Sequence, residues 1–124
     1  MKSIEYFPGP AAFPLSKAIR IGDFVFLSGQ IPLKDGKPLL GSIEEQTHAV
    51  LSAISNSLKV AGSSMDQVIK TTVWLGDLGN FERFNEVYRT YFKEGAYPVR
   101  STVEVKLAFG VGVEIEAQAY SPVK

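Results

Sequence analysis

The sequence predicts an α+β fold for a single domain that spans residues 1–124, with two helices packed on one face of a mixed β-sheet. Two observations carry this prediction. Segments with alternating apolar residues flank two segments with apolar residues at helical spacing, in the order β-β-α-β-α-β-β. The length also suits one domain, since a chain of this size buries roughly 60 to 70% of its unfolded surface and needs no linker.

The first predicted elements are an irregular arm and a hairpin. Pro8, Pro10 and Pro14 predict that the first fourteen residues form the irregular arm, because proline fixes φ and removes a backbone donor. Two β-rich runs follow, Ala18–Ile21 and Phe24–Ser28, and the Gly22-Asp23 pair between them predicts a tight turn. Asp35-Gly36 then marks a loop.

The first helix is predicted from its cap and its apolar spacing. Ser42 and Glu45 form a capping box, in which each side chain accepts a hydrogen bond from the backbone N–H of the other. The helix runs towards Gly62, and its apolar positions are Ile43, Val50, Leu51, Ile54 and Leu58. His48, the single histidine, has no neighbours suited to a metal site, so we expect it on the surface and expect no metal.

A third strand and a second helix follow. The run Val68–Leu75 is rich in β-formers and predicts a strand. Asp77 or Asn80 caps the second helix, which is expected to end near Gly95. The apolar stripe of this helix consists of Phe81, Phe84, Tyr88, Tyr91 and Phe92.

Apolar residues on both faces of the predicted sheet indicate an oligomer. Trp74 points to the side opposite Val73, and Phe24 and Phe26 likewise point away from the side of Val25. Helices on one side of the sheet leave the other side as a large apolar patch. We therefore expect another chain to cover it.

The last quarter of the chain contains two alternating segments with charged residues. The first, Val99–Val105, places Arg100 on the face opposite its valines. The second, Gly112–Ala117, places Glu114 and Glu116 opposite its apolar residues. A fixed cation near carboxylates suits a small-molecule anion site with its own general base. A sheet with one face in water alternates in the same way, and the pattern alone favours this second interpretation.

Composition excludes several classes of function. Thirteen basic and thirteen acidic side chains cancel, so no global field attracts nucleic acid or an anionic membrane. The absence of cysteine excludes disulfides and thiolate chemistry and fits a reducing compartment. The N-terminus lacks the apolar segment of a signal peptide, and no run approaches 18 apolar residues. We expect a soluble, cytoplasmic protein with no nucleic-acid or membrane partner.

Three separated motifs resemble those of one known family. Pro98–Val103, which reads PVRSTV, followed by Val113–Glu116, which reads VEIE, resembles the C-terminal signature of the RidA/YjgF family of reactive-intermediate deaminases. Phe26–Pro32 and Val68–Leu75 resemble two further family motifs, in family order. The resemblance covers nearly the whole chain. It implies a chorismate-mutase-like fold, a homotrimer with ligand clefts between subunits, and neither cofactor nor metal.

The resemblance assigns the two central roles to Arg100 and Glu114. Arg100 matches the family arginine that grips the carboxylate of a 2-imino acid, and its alternative is an ion pair with Glu104 or with an acid of a neighbouring chain. Glu114 matches the family glutamate that holds the hydrolytic water. Its alternative is a solvated glutamate on a strand.

The resemblance also places Ser28, Asn85 and Thr102 in the wall of the ligand cleft. Two of them have a structural alternative: Ser28 as a hydrogen-bonded turn serine and Asn85 as a side chain that bonds neighbouring backbone. Thr102 stands where many relatives carry cysteine, and threonine keeps the small size and adds a hydroxyl. Leu15 departs from the family pattern, because the best-known deaminases carry a tyrosine after the corresponding proline. The loop near Ala108 is one residue shorter than in typical relatives.

The expected function is hydrolysis of reactive 2-imino acids, or their enamine tautomers, to 2-oxo acids and ammonia, without a cofactor. The main alternative is a module that binds or senses small 2-oxo acids at the same Arg100 site without turnover. A ribonuclease is a third class, and it fits poorly with zero net charge and a single histidine.

Overall fold

A computed structural model describes residues 3–123. The strands in chain order are β1 (Ile4–Pro8), β2 (Ser16–Ile21), β3 (Phe24–Leu27), β4 (Leu33–Lys34), β5 (Lys37–Pro38), β6 (Val68–Leu75), β7 (Val99–Glu104) and β8 (Val113–Tyr120). The α-helices are α1 (Ile43–Val60) and α2 (Phe81–Tyr88). None of the helices in residues 3–123 has the length and apolar content that crossing a bilayer requires.

Six strands form one mixed sheet in the order β1-β2-β3-β8-β6-β7, as the predicted fold class requires. Only β6 and β7 pair in parallel, with Thr71 opposite Arg100. The other neighbours pair antiparallel, and β6 and β8 place Trp74 opposite Glu114. Because α2 lies between β6 and β7 in the chain, the parallel crossover brings α2 over the β7 edge of the sheet.

Both helices pack on the same face of the sheet and enclose the core. The predicted capping box is confirmed: Ser42 Oγ accepts the Glu45 N–H at 3.1 Å, and Glu45 accepts the Ser42 N–H at 3.2 Å. The largest fully buried apolar side chains come from α1, α2 and the central strands: Phe84, Leu51, Ile54, Leu58, Leu75, Ile115, Val25, Val50, Val73 and Val113. Burial of this apolar surface is the main force that holds the helices to the sheet.

The N-terminal arm is only partly irregular, so that prediction is wrong for residues 4–8. This segment pairs with β2 as an edge strand, and Tyr6 lies opposite Ile19. Proline is tolerated there because Pro8 is the last residue of the edge strand, where the register shifts. The predicted loop at Asp35-Gly36 forms the turn of the β4–β5 hairpin, and both residues have positive φ, 53° and 78°.

The second helix is shorter than predicted. It ends at Tyr88 and continues as a 3₁₀ turn over Arg89–Tyr91 rather than extending to Gly95. The Thr90 hydroxyl donates to the Val87 carbonyl at 2.6 Å, three residues earlier, and Phe92 is already extended. A side chain that bonds to nearby backbone competes with regular helix, which explains the early end.

The face of the sheet opposite the helices is strongly apolar, as the two-sided strands predicted. Val99 on β7 and Tyr6 on β1 are 67% and 65% exposed. Other large apolar side chains on this face are also exposed: Ile4, Ile21, Phe24, Val103 and Tyr120. We call these seven residues the open face.

Candidate active site

Arg100 lies on β7 and points towards the helices, where aromatic rings hold its side chain. Its guanidinium carbon lies 4.8 Å from the centre of the Tyr88 ring and 5.6 Å from those of Phe81 and Phe84. The Tyr88 hydroxyl is in turn 2.7 Å from the Thr71 hydroxyl. Cation–π contacts of this kind contribute about 0.5 to 2 kcal/mol each, so they fix the arginine without neutralising it.

Arg100 has no acidic partner within residues 3–123. No carboxylate oxygen of this part of the chain lies within 4.0 Å of its guanidinium. Glu104, the ion-pair partner that the sequence suggested, instead accepts a hydrogen bond from the backbone N–H of Leu78 at 2.8 Å. Within the described chain, the positive charge of Arg100 is therefore available to an anion.

A pocket of about 250 Å³ opens beside Arg100 and contains Asn85. Asn85 Oδ1 is buried and has no hydrogen-bond partner among residues 3–123, and the same holds for Thr102 Oγ1 on the Arg100 side of β7. An unsatisfied buried polar atom costs about 1 to 3 kcal/mol. These two atoms therefore need partners from outside residues 3–123, which water, a ligand or another chain would supply.

Glu114 lies on β8 and points to the open side of the sheet, since its neighbours Val113 and Ile115 are buried against the helices. It is half-buried, and this burial raises the pKa of its carboxyl group; the nearby charge of Glu116 raises the pKa further. The carboxylate fills the space beside Gly29, where an added Cβ would come within 2.1 Å of Glu114 Oε2. Gly29 is thus required for the position of Glu114.

Ser28 directly precedes Gly29, the glycine that the Glu114 carboxylate contacts. The Ser28 hydroxyl donates to the Ser16 carbonyl at 2.6 Å, and the Ser28 N–H donates to the Lys17 carbonyl at 3.1 Å, which joins the end of β3 to the start of β2. Ser28 therefore has the structural bond that was its alternative role, although its oxygen can still accept a hydrogen bond. Leu15, directly before Ser16, is 47% exposed.

The predicted site residues thus form two groups that the sheet separates. Arg100, Asn85 and Thr102 lie on the helix side at the β7 edge, whereas Glu114 points to the opposite face. The structure of one chain does not bring Arg100 and Glu114 to a common point. The sequence alternation fixed the face of each within its strand but not this separation.

Tyr88, Arg89 and Tyr97 also line the Arg100 pocket, and sequence reasoning assigned them no part in it. Tyr88 could have been found, because it lies three residues after Asn85 on the same side of α2. Arg89 lies four residues after Asn85 and carries the same signal, whereas Tyr97 does not. Within residues 3–123, no three histidine or carboxylate side chains cluster as a metal site would require.

Comparison with known proteins places this geometry in one family. Residues 8–121 match the family model described as Endoribonuclease L-PSP. A RutC family protein of Pyrococcus horikoshii is 47% identical over 110 residues, covering 86% of each chain. The mouse 2-iminobutanoate/2-iminopropanoate deaminase is 38% identical over 122 residues, covering 95% of this chain and 90% of that one.

The solved structures agree with the sequence matches. A Rid-family protein of Yersinia pestis, itself described as of unknown function, superposes with a TM-score of 0.88 at 36% identity. The match covers 95% of this chain and 99% of that one. Sequence and fold together show that the chain belongs to the YjgF/RidA family.

Proposed function

We propose that the protein is an imine deaminase that hydrolyses 2-imino acids to 2-oxo acids and ammonia without a cofactor. The observation that carries this proposal is the pocket in which, among residues 3–123, Arg100 has no acidic partner and Asn85 Oδ1 has no donor. A 2-imino acid supplies both missing groups, a carboxylate and an N–H. The name of the mouse relative supports the same reaction class.

The chemistry follows from the properties of these side chains. Arg100 binds the substrate carboxylate through its planar fork, and Asn85 Oδ1 accepts the N–H of the protonated imine. Glu114, with its raised pKa, removes a proton from water as the water oxygen bonds to the imine carbon. The protonated Glu114 returns this proton to the nitrogen of the resulting carbinolamine. As the C–N bond breaks and ammonia leaves, the Glu114 carboxylate takes the hydroxyl proton, which leaves the 2-oxo acid. Ammonia takes up this proton after release, so the products are the 2-oxo acid and ammonium. Ser28 and Thr102 line the cleft.

The two groups of site residues can act on one molecule only if they come from two copies of the chain. Arg100 and Glu114 lie on opposite sides of one sheet, so a single copy supplies one half of the site to each of two clefts. The uncovered open face supports association of copies through this surface. A closed ring of three, as the family resemblance implies, gives every copy two neighbours and completes every site.

Mixing two impaired variants tests this proposal. We expect Arg100→Ala and Glu114→Gln each to lose most of the activity alone, whereas equal co-expression restores part of it in mixed oligomers. About one quarter of the intersubunit sites in a randomly mixed closed ring then combine an intact Arg100 with an intact Glu114. The measurement is ammonia release from a 2-imino acid generated in situ.

Three results would contradict the proposal in different ways. No recovery in mixed oligomers, with the native protein active, would place both groups in one copy and remove the intersubunit site. A stable monomer in sedimentation at micromolar concentration would do the same. Only spontaneous hydrolysis with the native protein, together with binding of 2-oxo acids, would identify a binding module instead of an enzyme.

Leu15→Tyr is expected to raise activity on 2-aminoacrylate relative to imines with bulky aliphatic side chains. Leucine offers apolar volume and no hydrogen-bond donor, and tyrosine adds a hydroxyl that can donate to the reacting nitrogen. Apolar contacts discriminate between substrates by about 1 to 3 kcal/mol per methylene. The native protein's preference for aliphatic imines over 2-aminoacrylate is therefore expected to rise gradually with the size of the imine side chain. A panel of 2-imino acids of graded length measures it. An unchanged ratio in a folded, oligomeric variant would make Leu15 a packing residue.

A further inference from the structure

A second arginine lines the pocket beside Arg100. Arg89 follows the last residue of α2 and lines the same cavity of about 250 Å³. The other residues that line the cavity within the described chain are neutral: Asn85, Tyr88, Tyr97 and Pro98. Residues 3–123 therefore contribute two positively charged side chains and no negatively charged one to the lining of this pocket.

Neither arginine is strongly neutralised within residues 3–123. The contact between Arg89 and Glu86 is 4.0 Å long, and the two side chains are 56% and 75% exposed. An exposed pair at this spacing contributes little and is weakened by salt. Arg83 differs, because its guanidinium contacts the Glu44 carboxylate through two hydrogen bonds of 2.7 and 2.9 Å. Arg89 is thus open to a second anion, whereas Arg83 is occupied.

Arg89 adds a second positive group to the pocket that holds Arg100, and two arginines at one pocket suit a ligand with two negative groups.

We propose that the site accepts 2-imino and 2-oxo acids whose side chain ends in a second carboxylate, with Arg100 on the α-carboxylate and Arg89 on the distal one. This inference rests on the proposed function, because 2-imino acids derive from amino acids and the anionic amino-acid side chains are carboxylates. The planar fork of arginine matches a carboxylate with two hydrogen bonds. Tyr97 and Pro98 offer apolar surface to the methylene groups between the two charges.

Binding of two matched 2-oxo acids tests the inference without relying on turnover. The probes are 2-oxoglutarate and 2-oxopentanoate, which have the same carbon skeleton length and differ in the distal carboxylate. We expect the native protein to bind 2-oxoglutarate about fivefold more tightly, the size expected of one exposed ion pair. Arg89→Gln is expected to remove this preference, because it lowers the affinity for 2-oxoglutarate about fivefold more than the affinity for 2-oxopentanoate. Arg83→Gln, which removes an equal charge from the same helix, is expected to keep the preference.

The outcomes separate this inference from the proposed function. Equal binding of the two probes by the native protein would overturn the role of Arg89 and leave the carboxylate site at Arg100 intact. Equal loss of 2-oxoglutarate affinity in Arg89→Gln and Arg83→Gln would show a general charge effect and would also overturn it. Failure of both probes to bind would overturn the carboxylate site itself. A preference that shrinks with added salt in the native protein, and is absent in Arg89→Gln, would support the ion pair.

Discussion

Replacing Arg100 with alanine is expected to weaken the binding of 2-oxo acids by at least thirtyfold, since truncating one member of a desolvated charge pair costs about 2 to 5 kcal/mol. Imine turnover is expected to fall with it, because the same side chain holds the substrate carboxylate. Titration calorimetry with 2-oxopentanoate measures the first effect, and ammonia release measures the second.

Arg100→Lys and Arg83→Ala are the matched controls for this prediction. Lysine keeps the positive charge but lacks the planar fork that binds a carboxylate and stacks on Tyr88, so we expect an intermediate loss. Arg83→Ala removes an arginine that is already paired with Glu44 on the surface, so we expect native binding. Unchanged 2-oxo-acid affinity in a folded Arg100→Ala oligomer would show that the carboxylate binds elsewhere.

Replacing Glu114 with glutamine is expected to lower kcat by roughly 10² to 10⁴ while 2-oxo-acid binding stays close to native. Glutamine keeps the shape beside Gly29 and removes the group that accepts a proton from water. Glu116→Gln is the matched control, because it removes a carboxylate two residues away on the same face. Loss of binding with kcat unchanged in Glu114→Gln would contradict the role of a base.

The pH dependence of kcat/KM offers a second measurement on Glu114. Burial, and then the charge of Glu116, raises the pKa of the Glu114 carboxyl group, and only its ionised form can accept a proton. As the solution is acidified, activity is therefore expected to fall at a higher pH than it would if Glu114 had the pKa of an ordinary glutamate. Glu116→Gln removes one of the two causes of the raised pKa, so activity is expected to fall at a lower pH in this variant than in the native protein. If the residual activity of Glu114→Gln falls at the same acidic pH as the activity of the native protein, a group other than Glu114 causes the fall.

Local chemistry was enough to predict most of the secondary structure. The first helix followed from the Ser42–Glu45 capping box, and the β2–β3 turn from Gly22-Asp23, because both signals depend on neighbours a few residues apart. The early end of α2 and the β1 strand were missed. The first depends on a Thr90 hydroxyl bond that competes with the helix, and the second on pairing with β2 across the proline-containing segment.

Sequence and tertiary structure decided different parts of the site. Alternation along β7 and β8 by itself determined that Arg100 lies opposite the valines and Glu114 opposite Val113. Only the tertiary structure decided which of these faces meets the helices, because that depends on strand order and on the crossover through α2. On β8 the apolar face meets the core, but on the edge strand β7 the order is reversed: Val99 is 67% exposed, and Arg100 lies under the aromatic rings of α2.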